Sequence, residues 1–112
     1  MIVEKSEWKV PLKNSIRHKE IWDMMITHQR AERERWYYSI SRFYSYIEND
    51  IENWMYFDEY DSKEDYYEGH QVMKEMMNTK MFKEFSKQWM ALCVQDSMKT
   101  TVWTELKDLR VE

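Results

Sequence analysis

Tyr66 and His70 stand four residues apart, and Met73 and Met77 continue the row at i+7 and i+11. On an α-helix that spacing puts all four side chains on one stripe. An imidazole titrates near neutral pH, so His70 beside a tyrosine is a candidate general base, able to accept a phenolic proton at a pocket mouth. The commoner role for such a residue is structural: a histidine bonded to backbone or to a neighbouring tyrosine where helix meets sheet. His28 falls on the apolar side of an earlier helical stretch and could enter the same pocket. It also suits a boundary position near a helix end, where a positive charge complements the helix dipole. His18 falls in the first turn of that stretch and is expected to be exposed.

Other residue types add less chemistry. The three histidines are separated by 10 and 42 residues, without the short pairing that metal ligation needs, so no metal site is expected. Met24, Met25, Met73, Met76, Met77 and Met81 sit at helical spacings, where flexible core filling is the usual use of methionine. Trp54, Tyr56, Tyr60 and Trp103 either line an aromatic ligand pocket or form a subunit interface. Aromatic residues are enriched in both places, and the sequence leaves both open. Cys93 has no adjacent base and reads as a small buried residue rather than a nucleophile.

The elements that must position these residues follow from periodicity. Trp8, Val10 and Leu12 alternate with Lys9, Pro11 and Lys13, the period of a half-buried strand, with Pro11 at an edge or near the strand end. Asn14 or Ser15 then caps a helix reaching about residue 33, with Ile21, Met25 and His28 at helical spacing. "RWYYSISRFYSYIEN" is rich in aromatic and β-branched residues and reads as a long strand. "ENDIEN" reads as the turn, and "WMYFDEY" as its hairpin partner, with Trp54, Tyr56, Asp58 and Tyr60 on one face. Asp61 with Glu64, or Ser62 with Asp65, opens a second helix reaching about residue 77. Asn78 or Thr79 caps a third, whose apolar face is Phe82, Phe85, Trp89 and Leu92. "MKTTVWTELKDL" closes the chain as a strand.

The order is β-α-β-β-α-β with the second helix broken in two, which predicts an α+β, ferredoxin-like domain over residues 1–112. In that arrangement four antiparallel strands carry their helices on one face. Both faces of these strands hold large apolar residues, so the open face needs a cover, and a second copy of the chain is the simplest one. Composition agrees. The chain is 16% aromatic with one Gly and one Pro, so long regular elements present large faces for burial.

Charge and cysteine content exclude several classes. Seventeen Lys and Arg against 21 Asp and Glu give a net charge of −4, with signs interspersed as in "HQRAERERW", against nucleic-acid binding. The βαββαβ order also builds RNA-recognition domains, but "NWMYFDEYD" lacks their glycine motif and sets Asp58, Glu59 and Asp61 where a phosphate chain would run. One cysteine allows no intrachain disulfide and fits a reducing cytoplasm. No stretch reads as a signal peptide or a membrane span, so no membrane partner is expected.

"DEYDSKEDYYEGH" followed by "MFKEFSKQW" resembles the dimeric α/β-barrel superfamily, and most closely its antibiotic-biosynthesis monooxygenase group. The matching positions are Tyr60, Tyr66 or Tyr67, His70, Phe82 and Phe85. The resemblance implies two ferredoxin-like subunits packed sheet to sheet, each with a pocket between sheet and helices. It implies oxidation of an apolar, aromatic or quinol-like molecule without a cofactor, His70 serving as base or polar anchor and Trp54, Tyr56, Tyr60, Tyr66 and His28 as pocket residues. "QVMKEMM" is an insertion relative to compact members. The heme-degrading branch has Trp and His where this chain has Tyr60 and Ser86, and serine is a poor axial ligand, so heme is the less fitting expectation. A non-catalytic homodimer that binds a ligand or serves a structural role is the other reading, because the fold itself specifies no activity.

Overall fold

A computed structural model describes residues 1–112. Its elements are β1 (Ile2–Pro11), α1 (Ser15–Ala31), β2 (Ile40–Glu48), β3 (Ile51–Tyr60), α2 (Lys63–Met77), α3 (Lys80–Leu92) and β4 (Lys99–Thr104), with single 3-10 turns at 12–14, 33–35 and 107–109. The strands form one antiparallel sheet in the order β2-β3-β1-β4. This is the ferredoxin-like arrangement that the element order predicts, with the second helix divided into α2 and α3.

Local chemistry sets the boundaries. The β2–β3 hairpin closes through Asn49 and Asp50, both in the left-handed region at φ 52° and 60°, so Glu48 pairs directly with Ile51. Asn and Asp tolerate that conformation, and a two-residue turn of this hand matches the twist of the strands. The turn is therefore shorter than the six residues expected from sequence. Residues 36–39, expected in β2, stay outside it. The Arg33 guanidinium donates to the carbonyls of Trp36, Tyr38 and Ser39 and holds them in a loop. Ser62 caps α2 by accepting from the Asp65 amide, and Thr79 caps α3 by accepting from the Phe82 amide. Asn78, the alternative cap, ends α2 instead.

Register decides which side chains go inward. Ile2, Glu4, Ser6, Trp8 and Val10 of β1 are all buried on the helix-facing side of the sheet. Across β3 they face Tyr60, Asp58, Tyr56, Trp54 and Glu52 in turn. From α1, His18, Ile21, Trp22 and Met25 pack down onto this surface, and α3 adds Phe85 with Phe82, Trp89 and Leu92 at its edge. The expected exposure of His18 is corrected: it is fully buried, and its Nε2 accepts a hydrogen bond from the Trp8 indole at 2.9 Å. On α2 the buried positions are Gly69 and Met76, while Met77, expected inward, is exposed. The opposite sheet face carries Tyr44, Tyr46 and Trp103, all exposed, so no element of this chain covers it.

Gly69 is the chain's one glycine, and it lies in the middle of α2. A Cβ there would come within 2.8 Å of Cε1 on the Tyr60 ring. That ring is only 3% exposed and is met edge-on by Tyr66 and Tyr38, so it has little room to move. The missing side chain is what lets α2 lie against Tyr60. Gly→Ala in an exposed helix interior stabilises by roughly 1 kcal/mol. Here the overpacking term, about 1–3 kcal/mol, opposes it, so Gly69→Ala is expected to be neutral to destabilising by about 2 kcal/mol. A lower urea midpoint at unchanged slope checks this.

Candidate functional site

The inward stripe of β1 changes character halfway along. Its lower part, Trp8 and Val10, is core. Its upper part, Glu4 and Ser6, is polar and just as buried. Glu4 lies directly opposite Asp58 on β3, and Asp58 lies opposite Ser41 on β2. Side chains paired this way have Cβ atoms about 5 Å apart, so the sheet places two carboxyl groups side by side. Glu4 is 8% exposed and Asp58 4%.

Helix α2 completes the group. Docked through Gly69, it sets the next residue, His70, over the sheet, with Nε2 2.6 Å from Glu4 Oε2. An ionised carboxylate only accepts, so with Glu4 ionised the ring's donor in this contact is Nε2–H. In the neutral imidazole that tautomer leaves the Nδ1 lone pair free. The His70 side chain is 37% exposed, so an outside molecule can reach the ring. Tyr66, one turn earlier, packs its ring 4.3 Å from the imidazole, and Tyr60 meets Tyr66 edge-on at 5.4 Å.

Burial and charge move the titration of this group. Burial pushes the Asp58 carboxyl up to about 6, with the neighbouring Glu4 adding to the rise and Ser41 and His70 opposing it. Burial also raises Tyr56 and Tyr60, with Asp58 adding to both. Tyr66 is raised by burial and then by Glu4. The phenols therefore remain neutral hydrogen-bond donors at ordinary pH, and base chemistry falls to His70 and the carboxyls. No group of three His, Cys, Asp or Glu side chains is arranged to hold a metal ion.

Of the expected site residues, the structure brings Tyr60, Tyr66 and His70 together and separates the rest. Trp54 packs against Trp8 and His18 in the core, with its indole N–H on Glu52. Tyr56 joins the two regions, packing on Trp8 and Phe43 while responding to Asp58. His28 lines a cleft of about 230 Å³ between α1 and α3, with Met24 and Met81, and lies within 3.5 Å of Glu32. His70 does not line that cleft, so the two histidines do not share a pocket. The space around Trp8 is filled by Trp22, Trp54, Tyr56 and Trp89. Glu4 is the residue that sequence reasoning missed. Its signal is parity: the alternation of Trp8 and Val10, carried back past Ser6, puts Glu4 on the inner face opposite Asp58.

No protein-family model matches the chain, and no curated protein matches it in sequence. Solved structures share its fold. A Deinococcus radiodurans protein designated a candidate antibiotic biosynthesis monooxygenase superposes with a TM-score of 0.63 at 7% identity, covering 100% of this chain and 99% of its own. A Caulobacter crescentus CB15 protein of the same designation gives 0.62 at 9% identity, over 94% and 89%. A Mycobacterium tuberculosis protein gives 0.57 at 18% identity, over 94% of each chain. The resemblance read from sequence thus holds at the level of fold: a ferredoxin-like sheet of the kind found in proteins designated antibiotic biosynthesis monooxygenases.

A carboxyl whose titration is raised on folding lowers stability once it ionises, and that loss is relieved as pH falls through the folded value, here about 6. Asp58→Asn removes the buried charge. The variant should exceed wild type by about 1–3 kcal/mol at pH 8, and the difference should close as pH falls from 6 towards 4. Urea titrations of both proteins across that range read it directly; a pH-independent difference would exclude a buried, ionising Asp58.

Proposed function

We propose that the protein is a small oxygenase-like enzyme acting without a cofactor on an apolar aromatic or quinol-like molecule, with His70 as its base. The Glu4–His70 contact carries this reading: a buried carboxylate orients a reachable imidazole and leaves one ring nitrogen free to take a proton. Proton removal by His70 Nδ1 leaves an electron-rich carbanion that reacts with O2 itself. Oxidation of an activated CH2 to C=O, with the second oxygen atom leaving as water, balances without an external reductant. Glu4 stabilises the imidazolium that forms, and Tyr60 and Tyr66 wall the ring. Asp58 is a nearby second acceptor. The single cysteine fits a reducing cytoplasm, and no helix is long and apolar enough to cross a membrane.

A second reading has its own support. The interior around Trp8 is closed by aromatic rings, and none of the principal clefts is lined by His70. This favours a non-catalytic homodimer that binds a ligand elsewhere or has a structural role. In either reading the open sheet face, with Tyr44, Tyr46 and Trp103 exposed and Met55 and Phe57 half-buried, is covered by a second copy of the chain.

Oxygen consumption with a panel of quinols and polyphenols separates the two. The enzyme reading expects turnover by wild type, a loss of about 100-fold or more in His70→Ala, and a smaller loss in Glu4→Gln. Equal rates for wild type and His70→Ala would remove the histidine from catalysis. Inactivity of wild type across the panel would favour the binding protein. For assembly, light scattering at micromolar concentration should give twice the 14.1 kDa chain mass, and a 14.1 kDa particle would remove the dimer.

A further inference from the structure

A cleft of about 420 Å³ lies between the end of α1 and the start of β2, on the helix-facing side of the sheet edge. Ile26 and Phe43 give it apolar walls, and Gln29, Tyr38 and Ser41 give it polar atoms. Arg30 and Arg33 also line it, and both are exposed. Neither has a carboxylate within 4.0 Å, whereas Arg17, Arg35 and Arg110 each pair with a glutamate. Two unpaired cations at one cleft are notable in a chain of net charge −4.

Arg33 is also held in place. Its guanidinium donates to the carbonyls of Trp36, Tyr38 and Ser39 and lies over the Tyr38 ring, 5.1 Å from the centroid. Those acceptors are neutral, so the positive charge stays uncompensated while the side chain is already ordered. A ligand there avoids part of the ordering entropy that a free arginine would lose. The inner end of the cleft differs. Ser41 lies directly opposite Asp58, whose ionised form would repel a second anion. The α1 C-terminus at Ala31 adds partial negative charge beside the arginines, which offsets part of their attraction for an anion.

We infer that this cleft binds an apolar or aromatic monocarboxylate. The carboxylate sits between Arg30 and Arg33, and the neutral body packs on Ile26 and Phe43. A hydroxyl on the inner end of the ligand would meet Ser41. The volume suits one or two fused rings. Binding here does not depend on turnover at His70.

The test is a backbone-amide NMR titration of the full chain with 2-naphthoate, its neutral counterpart 2-naphthalenemethanol, and acetate. Saturable shifts with 2-naphthoate are expected, centred on residues 26–33 and 38–43. Binding of the alcohol or of acetate should be weaker by about tenfold or more. Arg30→Gln, a change at an exposed position, should weaken 2-naphthoate by about tenfold and leave the alcohol unaffected. His70→Ala should bind 2-naphthoate as wild type does, even if its oxygen consumption is lost. Equal binding of acid and alcohol would overturn the proposal, as would shifts centred on the open sheet face or the Met24–Met81 cleft. Loss of 2-naphthoate binding in His70→Ala would place the ligand at the histidine and overturn it too.

Discussion

The Trp8 indole stacks on Trp22 of α1 and on Trp54 of β3, meets Trp89 of α3 edge-on, and donates its N–H to His18. Sheet and two helices therefore meet on one side chain, itself only 1% exposed. Aromatic pairs of this kind add about 0.5–1.5 kcal/mol each beyond area burial. The consequence for function is positional. Trp8 lies four residues from Glu4 on the same stripe of the same strand, and Trp54 has the same relation to Asp58. A rigid core thus continues directly into the polar group above it. Side chains carried on strands anchored this way hold their geometry better than side chains on loops.

The second anchor is the contact of α2 with Tyr60. A helix normally stands off a sheet by the length of its side chains. Gly69 removes one of them, and the Tyr60 ring fills the gap. His70 follows Gly69 directly, so the close approach that the glycine allows also brings the imidazole to Glu4. The side chain missing at Gly69 and the histidine that follows it act together, because the close approach of the helix makes the reach of His70 to Glu4 short enough.

Much of this was legible from periodicity. Alternation marked β1, β3 and β4, composition marked β2, cap residues marked both later helices, and Trp54, Tyr56, Asp58 and Tyr60 were placed on one face of one strand, as found. What was not legible depends on tertiary context. His18, a polar residue in a first turn, reads as solvated, and only the neighbouring indole makes its burial tolerable. Glu4 went unnoticed because a charged residue at an inward position draws no attention unless its partner 66 residues away is known. The run Trp36–Ser39 has strand composition, but Arg33 claims its carbonyls. Met77 and Met76 differ by one position in helical phase, which a row of methionines does not resolve. His28 lies at the α1–α3 cleft and His70 beside Glu4, and periodicity within single helices carries no information about whether two helices point at the same space.

His18 and Asp58 make a final point about how the interior tolerates ionisable groups. Burial lowers His18 to about 4 and raises Asp58 to about 6. The signs oppose each other. A base with a depressed value contributes stability that is present above its ordinary 6.5 and lost as pH falls towards 4. An acid with a raised value contributes stability that is present below its ordinary 3.8 and lost as pH rises through 6. Both therefore titrate across nearly the same interval, and acidification removes stability at one site while restoring it at the other. The core histidine is held neutral throughout the neutral range, where it serves only as an acceptor for Trp8. The carboxyl above it changes charge just below neutrality, next to a glutamate, a histidine and a row of protonated phenols. One end of the sheet is thus kept electrically inert and the other responsive, and that division follows the stripe of β1 from Val10 to Glu4.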